Sequence, residues 1–358
     1  MILQTKWQLD TPALCLDLDL LEANVQRMAA FLADKPAALR PHTKTHKCPT
    51  IAWMQIHAGA IGVTCAKVGE AEVMARAGIR DILIANQVVG EDKIARLMGL
   101  AAYSDVMVAI EDLANARALS EAAAARGIAL RVLLEVDVGM GRCGVAPGQA
   151  TLDLAREVCA LPGLRFEGLM GYEGHAVMIP DMAERTAAAH RAMGLLVGSR
   201  DLLVENGIEV AIVSGGGTGT YAITGAYEGL TEIQAGSYAT MDAKYRSVGL
   251  DFAQALTVVA RVISARDDTA IIDAGMKTLT HEFGLPEVVQ PTGWRLKGLS
   301  EEHGSLIREG GEPLKPGDRV EIVPSHGCTT INLHDVYHVT RGERYEGLWP
   351  IAARGAIR

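Results

Sequence analysis

Eight times between residues 13 and 214, a short β-rich run gives way to a longer stretch rich in Ala, Leu, Glu and Arg. The β-rich runs are 13–19, 39–44, 62–67, 81–86, 105–110, 130–138, 166–173 and 210–214. Helical spacing of apolar residues is clear at 20–33, 69–77, 113–126 and 182–206. The 69–77 run carries Glu70 in its first turn and stops at Gly78, as helix ends do. A helix between two strands returns the chain to the same edge, so successive β-then-α units build a parallel sheet. Eight such units predict a closed (β/α)8 TIM-like barrel; an open doubly wound sheet is the other arrangement the pattern allows.

After about residue 245 the rhythm changes. Short strand-like runs at 255–264, 269–274, 319–323, 335–340 and 347–353 are separated by turn residues, including Lys-Pro-Gly-Asp at 315–318. This predicts a C-terminal β-sandwich or β-barrel domain. The expected division is a barrel over 10–244 and a β domain over 245–358 that also takes in residues 1–9.

At 49% apolar and 22% charged, the 358 residues can bury a large core without disulfides. A net charge of −9, spread along the chain, argues against nucleic acid or anionic membranes as partners. None of the six cysteines forms a Cys-x-x-Cys pair, which suits reduced thiols. No leader pattern and no run of about 18 apolar residues is visible, so the expected location is cytoplasmic.

In a barrel of this kind the reactive groups lie at the C-terminal ends of the strands. The polar, Gly-rich segments fall there. Ser-Gly-Gly-Gly-Thr-Gly-Thr at 214–220 can curl its N–H groups around an anion, with Thr218 and Gly219 central; a merely flexible loop is the plainer reading. Lys44 ends the second predicted strand between His42 and His46. Desolvation and neighbouring positive groups lower a lysine pKa there, and a neutral amine forms a Schiff base with an aldehyde. Lys47 is an equal candidate on this logic. Strand alternation sets Arg40, His42 and Lys44 on one face, so Arg40 or His42 could orient a cofactor. Arg142, in Gly-Met-Gly-Arg-Cys-Gly, can reach a pyridine nitrogen and keep it unprotonated, or form a loop salt bridge. In the β domain His326 and Cys328 stand two apart, a workable spacing for an open metal site if the segment is extended.

These motifs, with Asp-Thr-Pro-Ala-Leu at 10–14, Asn-Gln-Val-Val-Gly at 86–90, Gln-Ala-Gly-Ser-Tyr at 234–238 and Asp-Ala-Gly-Met-Lys at 273–277, resemble the D-threonine aldolase and D-serine dehydratase group of alanine-racemase-like pyridoxal-phosphate enzymes. The resemblance covers nearly the whole chain. It implies that Lys44 carries pyridoxal 5'-phosphate and that Arg142 faces its pyridine nitrogen. It places Tyr172 beside the cofactor and Thr218, Gly219, Gly236 and Ser237 near the phosphate. It puts a divalent metal on His326 and Cys328, with zinc, manganese or magnesium as candidates, and implies a head-to-tail homodimer. The implied reaction is cleavage of a D-β-hydroxy-α-amino acid to glycine and an aldehyde, with Glu173 or His175 as base. The alternatives are dehydration to a 2-oxo acid and ammonia, racemisation, or non-catalytic cofactor binding. Two features depart from the aldolase pattern: Cys328 stands where those enzymes have Asp, and Glu173 where they have His. The thiolate favours zinc.

Overall fold

The computed structural model describes residues 4–358. The chain divides into two compact units. One comprises 28–44, 51–236 and 356–358; the other comprises residues up to 27, 45–50 and 237–355.

In chain order the first elements are β1 (Ala13–Asp17), α1 (Leu18–Leu32), β2 (Ala38–Leu39), α2 (Pro49–His57), β3 (Val63–Cys65), α3 (Val68–Arg76), β4 (Asp81–Gln87) and α4 (Glu91–Ala101). Then come β5 (Asp105–Ile110), α5 (Leu113–Ala124), β6 (Leu130–Glu135), α6 (Gln149–Cys159), β7 (Leu164–Met170), α7 (Met182–Glu205), β8 (Ile212–Gly215), α8 (Tyr221–Thr224) and β9 (Glu232–Ile233). β2 to β9 form an eight-stranded parallel sheet in the order β2-β9-β8-β7-β6-β5-β4-β3. A parallel bridge from His42 to Thr64 joins its two ends, so the barrel closes. Alternate residues of successive strands, Leu83, Met107, Ala109, Leu133 and Met170, fill the interior as one buried cluster. Asp112 and Asp181 cap α5 and α7 by accepting from the N–H groups of Asn115 and Glu184.

The expected first barrel strand is elsewhere. β1 pairs antiparallel with β10 and parallel with β16 in the second unit. The eighth barrel position is taken instead by β9, two residues too short to show a period.

The second unit continues with α9 (Ala243–Ser247), β10 (Leu256–Arg266), β11 (Thr269–Ile272), β12 (Glu287–Gln290), β13 (Trp294–Leu299), β14 (Gly304–Arg308), β15 (Arg319–Val323), α10 (Gly327–Ile331), β16 (Val336–Arg341) and β17 (Arg344–Pro350). Its nine strands are antiparallel apart from β1–β16. β10 organises the sheet: its first half pairs with β1 and β15 and its second half with β11, with an irregularity between Val262 and Ser264. Leu9, Ala13, Cys15 and Val259 form a core on this sheet. Among the described residues no helix is long and apolar enough to cross a membrane.

Candidate active site

The chain leaves β2 and runs along the end of the barrel as Arg40 to Lys44. Arg40 is 2% exposed and wholly engaged in ion pairs, with Glu232 at 3.0 Å and Asp81 at 2.7 Å. It braces β2, β9 and β4 and is not available to orient a cofactor, as alternation had suggested. Thr43 Oγ1 donates to the carbonyl of Thr64 at 3.0 Å. His42 is buried, and its Nδ1 accepts from the Lys44 N–H at 3.4 Å, which turns the backbone just before the lysine. Lys44 itself is half-buried, with Nζ 5.7 Å from the centroid of the Tyr172 ring. Lys47, the other candidate, belongs to the second unit, where its backbone has a φ of 52° and its carbonyl accepts from Ala353.

Tyr172 follows β7 and is shared. The Arg142 guanidinium also lies 5.7 Å from its centroid. Arg142 is exposed on a turn built by Asp137, whose Oδ1 accepts from the N–H groups of Gly139 and Gly141, both at 3.0 Å. Those two hydrogen bonds hold the Asp137 carboxyl below its ordinary pKa. Burial raises the pKa of Glu135, the last residue of β6, which leads into this turn, against the opposing effects of a hydrogen bond from Gln87 and the charge of Arg142. His175 is exposed beside this turn: a Cβ on Gly139 would stand 3.3 Å from its Cε1.

The glycine run after β8 packs against the same tyrosine. A Cβ on Gly217 would lie 3.1 Å from Tyr172 Cε2, and one on Gly219 would fall 1.8 Å from the carbonyl oxygen of Val177. Only glycine lets the loop come this close. Thr218 is buried within it. The loop has an anchor that its own sequence does not reveal. Glu173, fully buried, accepts from the Thr220 and Thr224 hydroxyls at 2.6 Å each and from the Gly216 N–H at 3.1 Å. Both carboxylate oxygens are thus committed to shaping the loop.

Lys44, Tyr172 and the glycine run therefore converge in one unit. A lysine amine, an aromatic face and a side-chain-free loop fit the aldehyde, ring and phosphate of pyridoxal phosphate. Gly236 is buried at the end of this unit. Ser237 begins the other unit, where its hydroxyl lies 3.4 Å from that of Thr45 and 3.7 Å from the Cys328 sulfur.

His326 and Cys328 do come together, but not on an extended strand. His326 is the extended N-cap of α10 and Cys328 lies in the first helical turn. The Cys328 thiol donates to Thr45 Oγ1 at 3.2 Å and is hydrogen-bonded to the His326 ring. His326 Nδ1 bonds to Asp242 Oδ2 at 2.8 Å. Burial lowers the His326 pKa, but the charge of Cys328 and hydrogen bonds to Asp242 and Cys328 override it and push the value up to about 10. Among the described residues no group of three or more His, Cys, Asp or Glu gathers as a metal cage. An imidazole and a thiol side by side fit a divalent ion that keeps positions open for water or substrate. Asp242 escaped the sequence reading. Its only local signal is that of a helix cap, while its histidine is 84 residues away.

Residues 16–244 match the family described as alanine racemase, N-terminal domain, and residues 255–340 match a serine dehydratase domain. The chain is 40% identical over 357 residues to a D-threonine aldolase of an Arthrobacter species, covering 98% of this chain and 94% of that protein. It is 30% identical over 379 residues to the D-threo-3-hydroxyaspartate dehydratase of Delftia sp. (strain HT23), covering 98% and 96%. The crystal structure of D-threonine aldolase from Filomicrobium marinum superposes with a TM-score of 0.96 at 40% identity, covering 100% of this chain and 99% of that one. The chain belongs to the D-threonine aldolase and D-serine dehydratase family of alanine-racemase-like, pyridoxal-phosphate-dependent enzymes.

Proposed function

We propose that the protein is a lyase that uses pyridoxal phosphate and a divalent cation to cleave D-configured β-hydroxy-α-amino acids, D-threonine among them, into glycine and an aldehyde. The observation that carries this reading is the convergence of Lys44, the Tyr172 ring and the glycine run at the barrel strand ends, in a chain 40% identical to a D-threonine aldolase over 98% of its length.

When bound, pyridoxal phosphate supplies an electron sink for the pair released at Cα. Lys44 would hold the cofactor through its side-chain amine. Thr218 and Gly219 receive the phosphate, with Gly236 and Ser237 as further candidates. Tyr172 covers one side of the reacting groups. Arg142 would serve the pyridine nitrogen of the bound cofactor and disfavour its protonation. His326 and Cys328 would hold the cation, zinc first among candidates given the thiolate, and a cation there would supply Lewis acidity toward the substrate β-hydroxyl. A base removes the hydroxyl proton, the Cα–Cβ bond breaks, its electron pair stays on Cα, and the aldehyde carbonyl forms. A proton returned to Cα, equal to the one taken from the hydroxyl, completes glycine. We assign the base to His175, which is exposed and can exchange protons with water. Glu173 acts by shaping the loop.

Cys328 favours a second reading, since the His-x-Cys pair resembles the dehydratase branch of the family. There Lys44 would remove the Cα proton, and a cation on His326 and Cys328 would supply Lewis acidity to the departing hydroxyl. Incubation with D-threonine separates the two. Cleavage yields glycine and acetaldehyde; dehydration yields 2-oxobutanoate and ammonia. Ammonia and a 2-oxo acid without glycine would overturn the aldolase assignment. We also propose a homodimer, to be tested by light scattering on the eluting protein.

A further inference from the structure

We propose that Asp242 is a positioning residue of the cation site, holding His326 in the one tautomer and ring orientation that lets Nε2 act as ligand. The inference rests on the assignment of a cation to His326 and Cys328. The carboxylate is fully buried and each of its oxygens has a defined partner. Oδ1 accepts from the Tyr245 N–H at 2.8 Å, which caps α9. Oδ2 meets His326 Nδ1 at 2.8 Å and accepts from the Gly327 N–H at 2.9 Å. A carboxylate can only accept, so Nδ1 must carry the hydrogen, and Nε2 is the nitrogen with a lone pair once the imidazole is neutral.

The surrounding backbone is organised to keep that carboxylate in place. Met241, just before it, has a φ of 56°, a left-handed conformation that costs free energy in a non-glycine residue. The next two N–H groups, of Ala243 and Lys244, donate to the carbonyls of Pro324 and Ser325 at 3.1 and 3.2 Å. The 242–244 segment is thereby bound to the strand end that leads into His326. The ring is held from other sides as well. Phe283 meets it edge-on, with centroids 5.0 Å apart at 88°, and the Tyr245 ring lies 6.4 Å away. The strained turn, the backbone pairs and the ring contacts all fix one atom, Nδ1, and so aim the other nitrogen.

The test measures cation binding rather than turnover. Chelator-stripped holoenzyme is titrated with Zn²⁺ against a chromophoric chelator, for the wild type, Asp242→Asn and Asp242→Ser. Serine still caps α9 but is too short to hold the imidazole, so it separates the two duties of Asp242. Both variants are expected to lose about 10- to 100-fold in Zn²⁺ affinity while keeping the cofactor absorption band and a cooperative melting transition, at a lowered midpoint. Unchanged affinity in either folded variant overturns the proposal. A wild type that binds no Zn²⁺ overturns the cation assignment itself, and this inference with it.

Discussion

The Nζ of Lys44 lies over the ring of Tyr172, 5.7 Å from its centroid, and Arg142 approaches the same ring at the same distance. One aromatic ring thus links the residue assigned to the cofactor's aldehyde carbon with the residue assigned to its pyridine nitrogen. Borohydride reduction of the holoenzyme followed by peptide mapping is expected to place the pyridoxyl group on Lys44. A label on Lys47, Lys67 or Lys277 would reject that assignment. Tyr172→Ala removes both cation–ring contacts, each worth about 0.5–1 kcal/mol at an exposed site, and should weaken cofactor binding; Tyr172→Phe should restore it.

Glu173 ties the glycine loop down through three hydrogen bonds. In Glu173→Gln an amide N–H₂ must face either the Gly216 N–H or the two threonine hydroxyls, so at least one acceptor is lost in a buried place. The expected cost is about 1–3 kcal/mol of stability, read by thermal denaturation, with a parallel loss of pyridoxal-phosphate affinity in direct titration. Unchanged cofactor affinity would mean that the loop's shape does not depend on this anchor.

Against the effect of burial, the charge of Cys328 and the hydrogen bond to Asp242 push the His326 pKa up to about 10, so a cation would have to displace a proton to bind there. Cation affinity should therefore fall as pH falls, by about tenfold per unit from this one group across the neutral range. The same raised pKa makes a stability contribution in the cation-free protein. That contribution is complete below the ordinary imidazole value and lost as pH rises toward about 10. Zn²⁺ titrations at pH 7 and pH 8 check the first point; identical affinities would exclude His326 as a ligand.

Chelation should abolish turnover while the cofactor's absorption band remains, and so should Cys328→Ala. Cys328→Asp replaces a soft donor with a hard one and should shift the activating ion from zinc toward manganese or magnesium. Full activity of the chelated wild type would remove the cation from the reaction altogether.

Arg40 is buried between Glu232 and Asp81, so Arg40→Met leaves the Glu232 carboxylate, 2% exposed, without its partner. A loss of about 3–5 kcal/mol is expected in chemical denaturation. The double variant Arg40→Met with Glu232→Gln should recover part of it, because the uncompensated buried charge is then gone. Equal losses in the single and double variants would refute this origin of the effect.

The sequence by itself determined the local elements and the groups that depend on local geometry. Its repeating pattern reads out the seven barrel strands from β2 to β8 to within a few residues, because apolar periodicity and caps act over a handful of positions. The glycine positions at 214–220 were legible because close backbone approach demands particular residue types, whereas the predicted strand 39–44 stops at Leu39 and leaves Lys44 in a turn. Tertiary structure alone decided which partners each element found. β1 carries the same apolar run as a barrel strand, yet it joins β10 and β16, since pairing depends on which edge the folded chain presents. β9 has only two residues and exists because β8 and β2 supply its hydrogen bonds. Glu173 reads as a catalytic carboxylate until Thr220, Thr224 and Gly216 converge on it from about 43 to 51 residues away. Asp242 reads as a helix cap until His326 arrives. A carboxylate's role is set by the donors around it, and those donors come from distant parts of the chain that only folding brings together.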